Sequence, residues 1–393
     1  MRRAVIVDVV RSPFGKGRLG GSLSAMHPVD LYAQVLQGLV ARTGIDPGLV
    51  EDVITGCVLQ VGEQSGNIGR QAVLAAGFPE HVPAVTLDRK CGSAQQAMDF
   101  AAQGVIAGAY DVVIAGGVEM MSVVPMRSNR LGKDSEGAMF RARYPAGLVR
   151  QGISAELIAA RWGLSRDAMD RFACRSHERA AAAEDAGSTA RDIVPIRLPD
   201  GSVVDRDEGL RRDTTLARLA ALRPAFEDPL AKTAYPQIEW SVTAGNASQV
   251  TDGAAAVLIV EAAVAKRLGL RPRAQITHFA VAGDDPVLML TAIIPATAKL
   301  LARAGLTLDQ IDCYEVNEAF ASVVLAWSKE FGADPERVNR FGGAIALGHP
   351  VGGSGGRLLA NLLAGLEATG GRYGLQTMCE SGGMANATLI QRL

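Results

Sequence analysis

The chain has 393 residues, 48% of them apolar and 21% charged, which excludes a disordered chain and makes more than one domain the expectation. Its formal net charge of −1 gives no general attraction to nucleic acid or to a membrane surface. Cys57, Cys91, Cys174, Cys313 and Cys379 are scattered without short paired spacings, so neither a zinc site nor a disulfide framework is expected, and a reducing compartment, most simply the cytoplasm, fits best. The histidines are isolated from one another, so no metal centre is expected. No apolar run approaches the roughly twenty residues needed to cross a bilayer.

The first part reads as alternating strands and helices. Ala4–Val9 is a strand, Pro28–Ala41 an amphipathic helix, Val53–Val58 a strand, and Ile68–Ala76 a helix ended by Gly77. Pro83–Leu87 is apolar and β-branched, which predicts a buried strand. Ala94, Ala97, Met98, Ala101 and Val105 recur at the spacing of one helix face. Cys91 therefore falls at a strand-to-helix turn, where unpaired backbone N–H groups and the positive end of the helix dipole are expected to lower its thiol pKa and make a nucleophile. The plain alternative is a buried cysteine acting as a small hydrophobe. Val112–Ala115 is a further strand, closing on Gly116-Gly117. Strands separated by helices imply a parallel or mixed sheet covered on its faces.

Between Glu119 and Ser248 the texture changes. Arg127, Arg130, Lys133, Arg141, Arg143 and Arg150 are opposed by few acids. This is either an attraction for a polyanionic ligand such as coenzyme A or a solvated face. Helical patterns follow over Ser154–Trp162 and Arg166–Asp185, then a proline-rich stretch. We read residues 119–248 as an inserted loop domain. Residues 1–118 and 249–270 form an N-terminal α/β domain, and 271–393 a C-terminal one.

In the last third, Ala274–His278, Ile311–Val316, Leu375–Cys379 and Ala387–Ile390 read as strands, and Ala296–Ala304, Glu318–Phe331 and Gly355–Ala368 as helices. This series echoes the first: a residue with chemistry (Cys91, then His349), a Gly/Ser turn, a small-residue helix, and a strand that runs into glycines. The glycine-rich stretch Gly342–Gly356 surrounds His349 with little bulk and allows close backbone approach. It lacks the Lys-Ser/Thr ending of a phosphate loop. Asn317 lies between a strand and a helix, where its amide either orients a ligand or caps the helix.

Taken together, Cys91-Gly92-Ser93, Gly116–Ser122, Asn246-Ala247-Ser248, Asn317–Ala321, Gly342–Gly356 and Cys379–Gly383 resemble the motifs of the thiolase family, in its order and spacing over nearly the whole chain. The resemblance implies an α/β, duplicated αβαβα layered fold with the inserted loop domain. It implies a ping-pong acyl transfer with coenzyme A as co-substrate, no permanently bound cofactor, and a homodimer or homotetramer. Cys91 would be acylated, His349 would take the thiol proton, and Cys379 would serve as acid/base on the acetyl-CoA carbon. One oxyanion hole would pair His349 with a water held by Asn317, and the other would use the backbone N–H groups of Cys91 and Ser381. Ser248 and Arg211 match positions that contact coenzyme A, and Phe320 and Met289 match positions of the acyl pocket. Ser381 stands where the family usually has glycine, so its donor requires that a serine reach the needed φ/ψ. Asp228–Trp240 is longer than usual. Degradative cleavage of 3-ketoacyl-CoA leads; acetoacetyl-CoA synthesis, a ketosynthase and a non-catalytic acyl-CoA binder are the alternatives.

Overall fold

Two runs of valine, isoleucine and alanine, β1 (Ala4–Arg11) and later Thr251–Glu261, are buried along their whole length, as expected of strands covered on both faces. The structure, a computed structural model, describes residues 2–393. The remaining strands are β2 (Gly15–Lys16), β3 (Asp52–Gly56), β4 (Ala84–Leu87), β5 (Val112–Met120), β6 (Ile196–Arg197), β7 (Val203–Val204), β8 (Thr251–Glu261), β9 (Ala274–Gly283), β10 (Cys313–Val316), β11 (Tyr373–Glu380) and β12 (Met384–Arg392). The main sheet runs β10-β11-β12-β9-β1-β8-β5-β3-β4, with β2 added beside β8.

The order contains the duplication read from the sequence. Outward from the centre, β1-β8-β5-β3 on one side matches β9-β12-β11-β10 on the other. In each arm the outermost pair is parallel and the inner pairs are antiparallel. The arms meet where Val5 and Ile6 of β1 pair antiparallel with Gln275 and Ala274 of β9.

Three apolar clusters separate the layers. A central one joins Ala97, Met98 and Val105 of the helix Ser93–Ala107 to Leu359, Leu362 and Leu366 of the helix Ser354–Thr369, with inward residues of both arms around them. A second lies under the helices Pro28–Thr43 and Ile68–Ala75. A third lies under Ile293–Ala304 and Ala321–Phe331. Helix, sheet, helix, sheet, helix is the layering expected. The segment between Met120 and Thr251 leaves from β5 and returns in β8, and its helices Gln151–Trp162 and Arg166–Asp185 pack into the third cluster.

Several predicted boundaries move, among them Val112–Ala115, which extends to Met120, and two of the shifts have a direct physical cause. The first is the strand expected to reach Val58, which ends at Gly56 because the Glu119 carboxylate takes the N–H groups of Val58 and Leu59 (2.8 and 3.1 Å). The second is the helix expected from Glu318, which begins at Ala321 because Phe320 is extended and bridges Ala247. The glycine-rich stretch contains one unforeseen helical turn, Ala344–Leu347.

Gly117 explains part of that stretch. A Cβ placed on it would lie 2.1 Å from the carbonyl oxygen of Gly352, so the small residues serve contact between the two arms. Gly117→Ala is expected to destabilise the fold by about 1–3 kcal/mol through overpacking against backbone, measured as a lower urea midpoint at unchanged slope.

Candidate active site

Cys91 lies between β4 and the helix Ser93–Ala107, one residue ahead of the N-cap Gly92. Local sequence chemistry fixes this turn. The Ser93 hydroxyl accepts from Arg89 N–H at 2.8 Å and donates to the Lys90 carbonyl at 2.6 Å, while Asn386 of β12 donates to the Gly92 carbonyl at 3.0 Å. Cys91 packs in a small apolar cluster with Val351, Leu358 and Met378. These neighbours belong to the His349 loop, the helix after it and β11, so three distant parts of the chain meet at this sulfur.

His349 is held at both ring nitrogens. Its Nδ1 lies 2.6 Å from the Ser354 hydroxyl, which itself donates to the Pro350 carbonyl at 2.8 Å. The hydroxyl proton being committed, Ser354 accepts from Nδ1–H, and Nε2 is left with its lone pair directed at the Asn317 amide, 3.4 Å away. Burial first, and then the Arg357 guanidinium, push the imidazole down to about 3, so it is neutral and basic only at Nε2. Asn317 donates its backbone N–H to the Thr377 carbonyl at 3.1 Å, which ties it to β11. Its Oδ1 is buried without a hydrogen-bond partner.

Cys379 is buried in β11. Burial, then the neighbouring Cys91 sulfur, push its thiol well above the usual range. The expected lowering at Cys91 is likewise reversed. Burial outweighs the helix terminus, Glu380 adds to it, and the thiol is pushed up to about 12. Ser381 opens the turn between β11 and β12 with an ordinary negative φ, because Gly382 and Gly383 carry the positive values of 89° and 78°. Serine thus meets no strain there. The N–H groups of Cys91 and Ser381 donate to no acceptor among the described residues.

Ser248 and Arg211 line a cleft of about 400 Å³ together with Lys16, Arg18 and Phe226. The basic cluster between Arg127 and Arg150 contributes nothing to its walls, and Arg141 of that cluster pairs with Asp134 at 2.6 Å. Phe226 meets Phe320 edge-on, with centroids 5.7 Å apart. Phe320, Met289 and Cys379 lie in one buried cluster, and none of them, nor Cys91 or His349, lines the cleft. Met289 adopts a positive φ of 55°.

Three residues inside the family-like motifs have roles that the sequence does not show. Glu119 accepts from Val58, Leu59, the Gln64 amide and Gly352 N–H. Ser354 locks the histidine tautomer. Glu380 is buried beside Gly92. A buried acid and a loop serine are ordinary in sequence, and only their partners distinguish them.

Residues 4–263 match the family model described as thiolase, N-terminal domain, and residues 270–392 that described as thiolase, C-terminal domain. The chain is 48% identical to the steroid 3-ketoacyl-CoA thiolase FadA6 of Mycobacterium tuberculosis, over all of this chain and 95% of that protein. It is 42% identical to a 3-ketoacyl-CoA thiolase of Erwinia tasmaniensis, over the full length of both. The crystal structure of the Bacillus anthracis acetyl-CoA acetyltransferase superposes with a TM-score of 0.89 at 37% identity, covering 100% of this chain and 99% of that one.

Because burial raises the Cys91 thiol, its thiolate fraction grows with pH well past the usual cysteine range. Peptide mass spectrometry of iodoacetamide labelling at Cys91 should show a rate still increasing at about pH 10, and a rate that reaches its maximum near about 8.5, the free-cysteine value, and rises no further would contradict this electrostatic picture.

Proposed function

The chain belongs to the thiolase family, and from that premise we propose that it is an acyl-CoA:acetyl-CoA C-acyltransferase that cleaves 3-ketoacyl-CoA with coenzyme A to acetyl-CoA and a shortened acyl-CoA. The observation that carries the reading is the meeting of Cys91 with the neighbours of His349 and Cys379 in one buried cluster.

In this reading the Cys91 proton passes to Nε2 of His349, and the sulfur attacks the 3-keto carbon. The bond between the second and third acyl carbons then breaks. Its electron pair leaves on the acetyl-CoA fragment, which takes a proton from Cys379, and the acyl group stays on Cys91. Coenzyme A then gives its thiol proton to the Cys379 thiolate and attacks the thioester carbon, the bond to the Cys91 sulfur breaks, Cys91 takes its proton back from His349, and the shortened acyl-CoA departs. The tautomer supports this order: once Nε2 has taken a proton it becomes a donor and can face an oxyanion, beside a water held by Asn317. The unpaired N–H groups of Cys91 and Ser381 serve the thioester oxygen of the second hole. Lys16, Arg18 and Arg211 around the cleft suit the phosphates of coenzyme A, with Ser248 beside its pantetheine arm. Phe320 and Met289 bound the acyl group.

The names of the relatives at 42–48% identity favour degradation over acetoacetyl-CoA synthesis, and the five free cysteines support a cytoplasmic setting. Incubation with a series of 3-ketoacyl-CoAs should leave an acyl thioester on Cys91, detected by mass spectrometry and absent in Cys91→Ser. Turnover confined to acetoacetyl-CoA would move the assignment to the biosynthetic reaction, and no adduct with any substrate would remove both.

We also propose that two or four copies assemble. Strand β4 ends the sheet unpaired on one side, and Val85 on it, with Leu74, Phe100 and Ile106 of the adjoining helices, is 37–45% exposed. Such an edge invites a partner strand. Light scattering after size exclusion should give a multiple of the 41.2 kDa chain mass, and a monomer would refute the assembly.

A further inference from the structure

Glu380 follows Cys379 in β11, and its side chain turns to the nucleophile rather than to solvent. A Cβ built on Gly92 would lie 2.0 Å from Glu380 Oε1, so the carboxyl rests directly against the backbone next to Cys91. Both carboxyl oxygens are buried and have no hydrogen-bond partner, and no cation forms an ion pair with it among the described residues. Around it stand Arg89 and Asp88 from the nucleophile turn, Asp99 from the helix Ser93–Ala107, the two thiols, and the uncharged Asn386 amide of β12. A carboxylate buried without a partner is strongly disfavoured relative to its protonated form.

We propose that Glu380 is a positioning residue for acyl transfer: as a neutral carboxyl it leaves Cys91 free to ionise, and as a carboxylate it opposes the Cys91 thiolate. The inference rests on Cys91 being the nucleophile. Burial, reinforced by Asp99 and Asp88 and opposed by Arg89, pushes the Glu380 carboxyl up to about 8. The sign follows. Below that pH the residue carries no charge and is electrostatically silent. Above it, negative charge appears beside Cys91 and raises the free energy of a second anion there. Asp99 differs, because its Oδ1 accepts from Thr388 at 2.7 Å and it does not touch Gly92.

The test is Cys91 labelling by iodoacetamide against pH in the full-length protein, in wild type, Glu380→Gln and Asp99→Asn. Glu380→Gln keeps the shape and removes the charge. Its labelling should match wild type below about pH 7 and exceed it by about tenfold at about pH 9.5, the effect of one neighbouring charge on a partly buried site. Asp99→Asn should move the profile less. The wild-type rate should itself rise less steeply between about pH 8 and about pH 9 and then regain its slope toward about pH 10, a readout that needs no variant and so survives a misfolded one. Parallel wild-type and Glu380→Gln profiles, an equal shift in Asp99→Asn, or a wild-type profile with no inflection would overturn the proposal. Failure of the nucleophile assignment would appear separately, as absence of the acyl adduct on a Cys91 that still labels.

Discussion

The buried carboxylate of Glu119 holds the two arms of the sheet in register at the site. One oxygen accepts from Val58 N–H and Gly352 N–H, the other from Leu59 N–H and the Gln64 amide. Val58 and Leu59 follow β3 of the first arm, whereas Gly352 belongs to the His349 loop of the second. A single acid therefore links the loop after β3 to the loop that carries His349. Burial raises its carboxyl to about 7 against the opposing pull of those four donors. Charge-assisted hydrogen bonds of this kind lose most when one partner is removed, because the others are left buried and unpaired.

Around that clamp the ligand-free site is kept electrically quiet. Burial moves Cys91 and Cys379 upward and His349 downward, so all three favour their neutral forms. A thiolate in such surroundings is costly until its proton has moved to His349 and its charge has a place to go. In the proposed reaction the N–H groups of Cys91 and Ser381, which donate to no acceptor among the described residues, would offer that place to an acyl oxygen. Burial thus keeps both thiols protonated in the ligand-free protein, which is the reverse of a thiol made nucleophilic in advance by its helix terminus.

The sequence made the strands and long helices legible because their patterns are strong: β1 is valine- and isoleucine-rich on both sides of Asp8, and the helix Arg166–Asp185 carries its own Ser165 cap, accepting from Ala168 N–H. The repeat was legible as a pattern of turns, although the matching strand order was not, since pairing partners lie far apart in the chain. Cys91, His349, Asn317 and Cys379 stood out by their settings among small residues. Glu119, Ser354 and Glu380 did not, because what marks them is a partner, or the lack of one, hundreds of residues away. The thiol shift was misjudged for the same reason. A helix terminus is a local feature, but desolvation is set by the layers packed on top of it.

The duplication also explains why a precise separation between His349 and Cys91 is attainable at all. Cys91 precedes the helix Ser93–Ala107 and His349 precedes the helix Ser354–Thr369, equivalent places in the two arms. Both helices lie in the central layer, where Gln376 of β11 donates to Gln95 Oε1 at 3.2 Å and to the Gly355 carbonyl at 2.9 Å. One amide on the strand that bears Cys379 thereby grips the first turn of each helix. The spacing of all three reactive groups is then set by helix-to-helix and helix-to-strand packing, whose stiffness follows from close-packed interiors, and the intervening loops need supply only the turn.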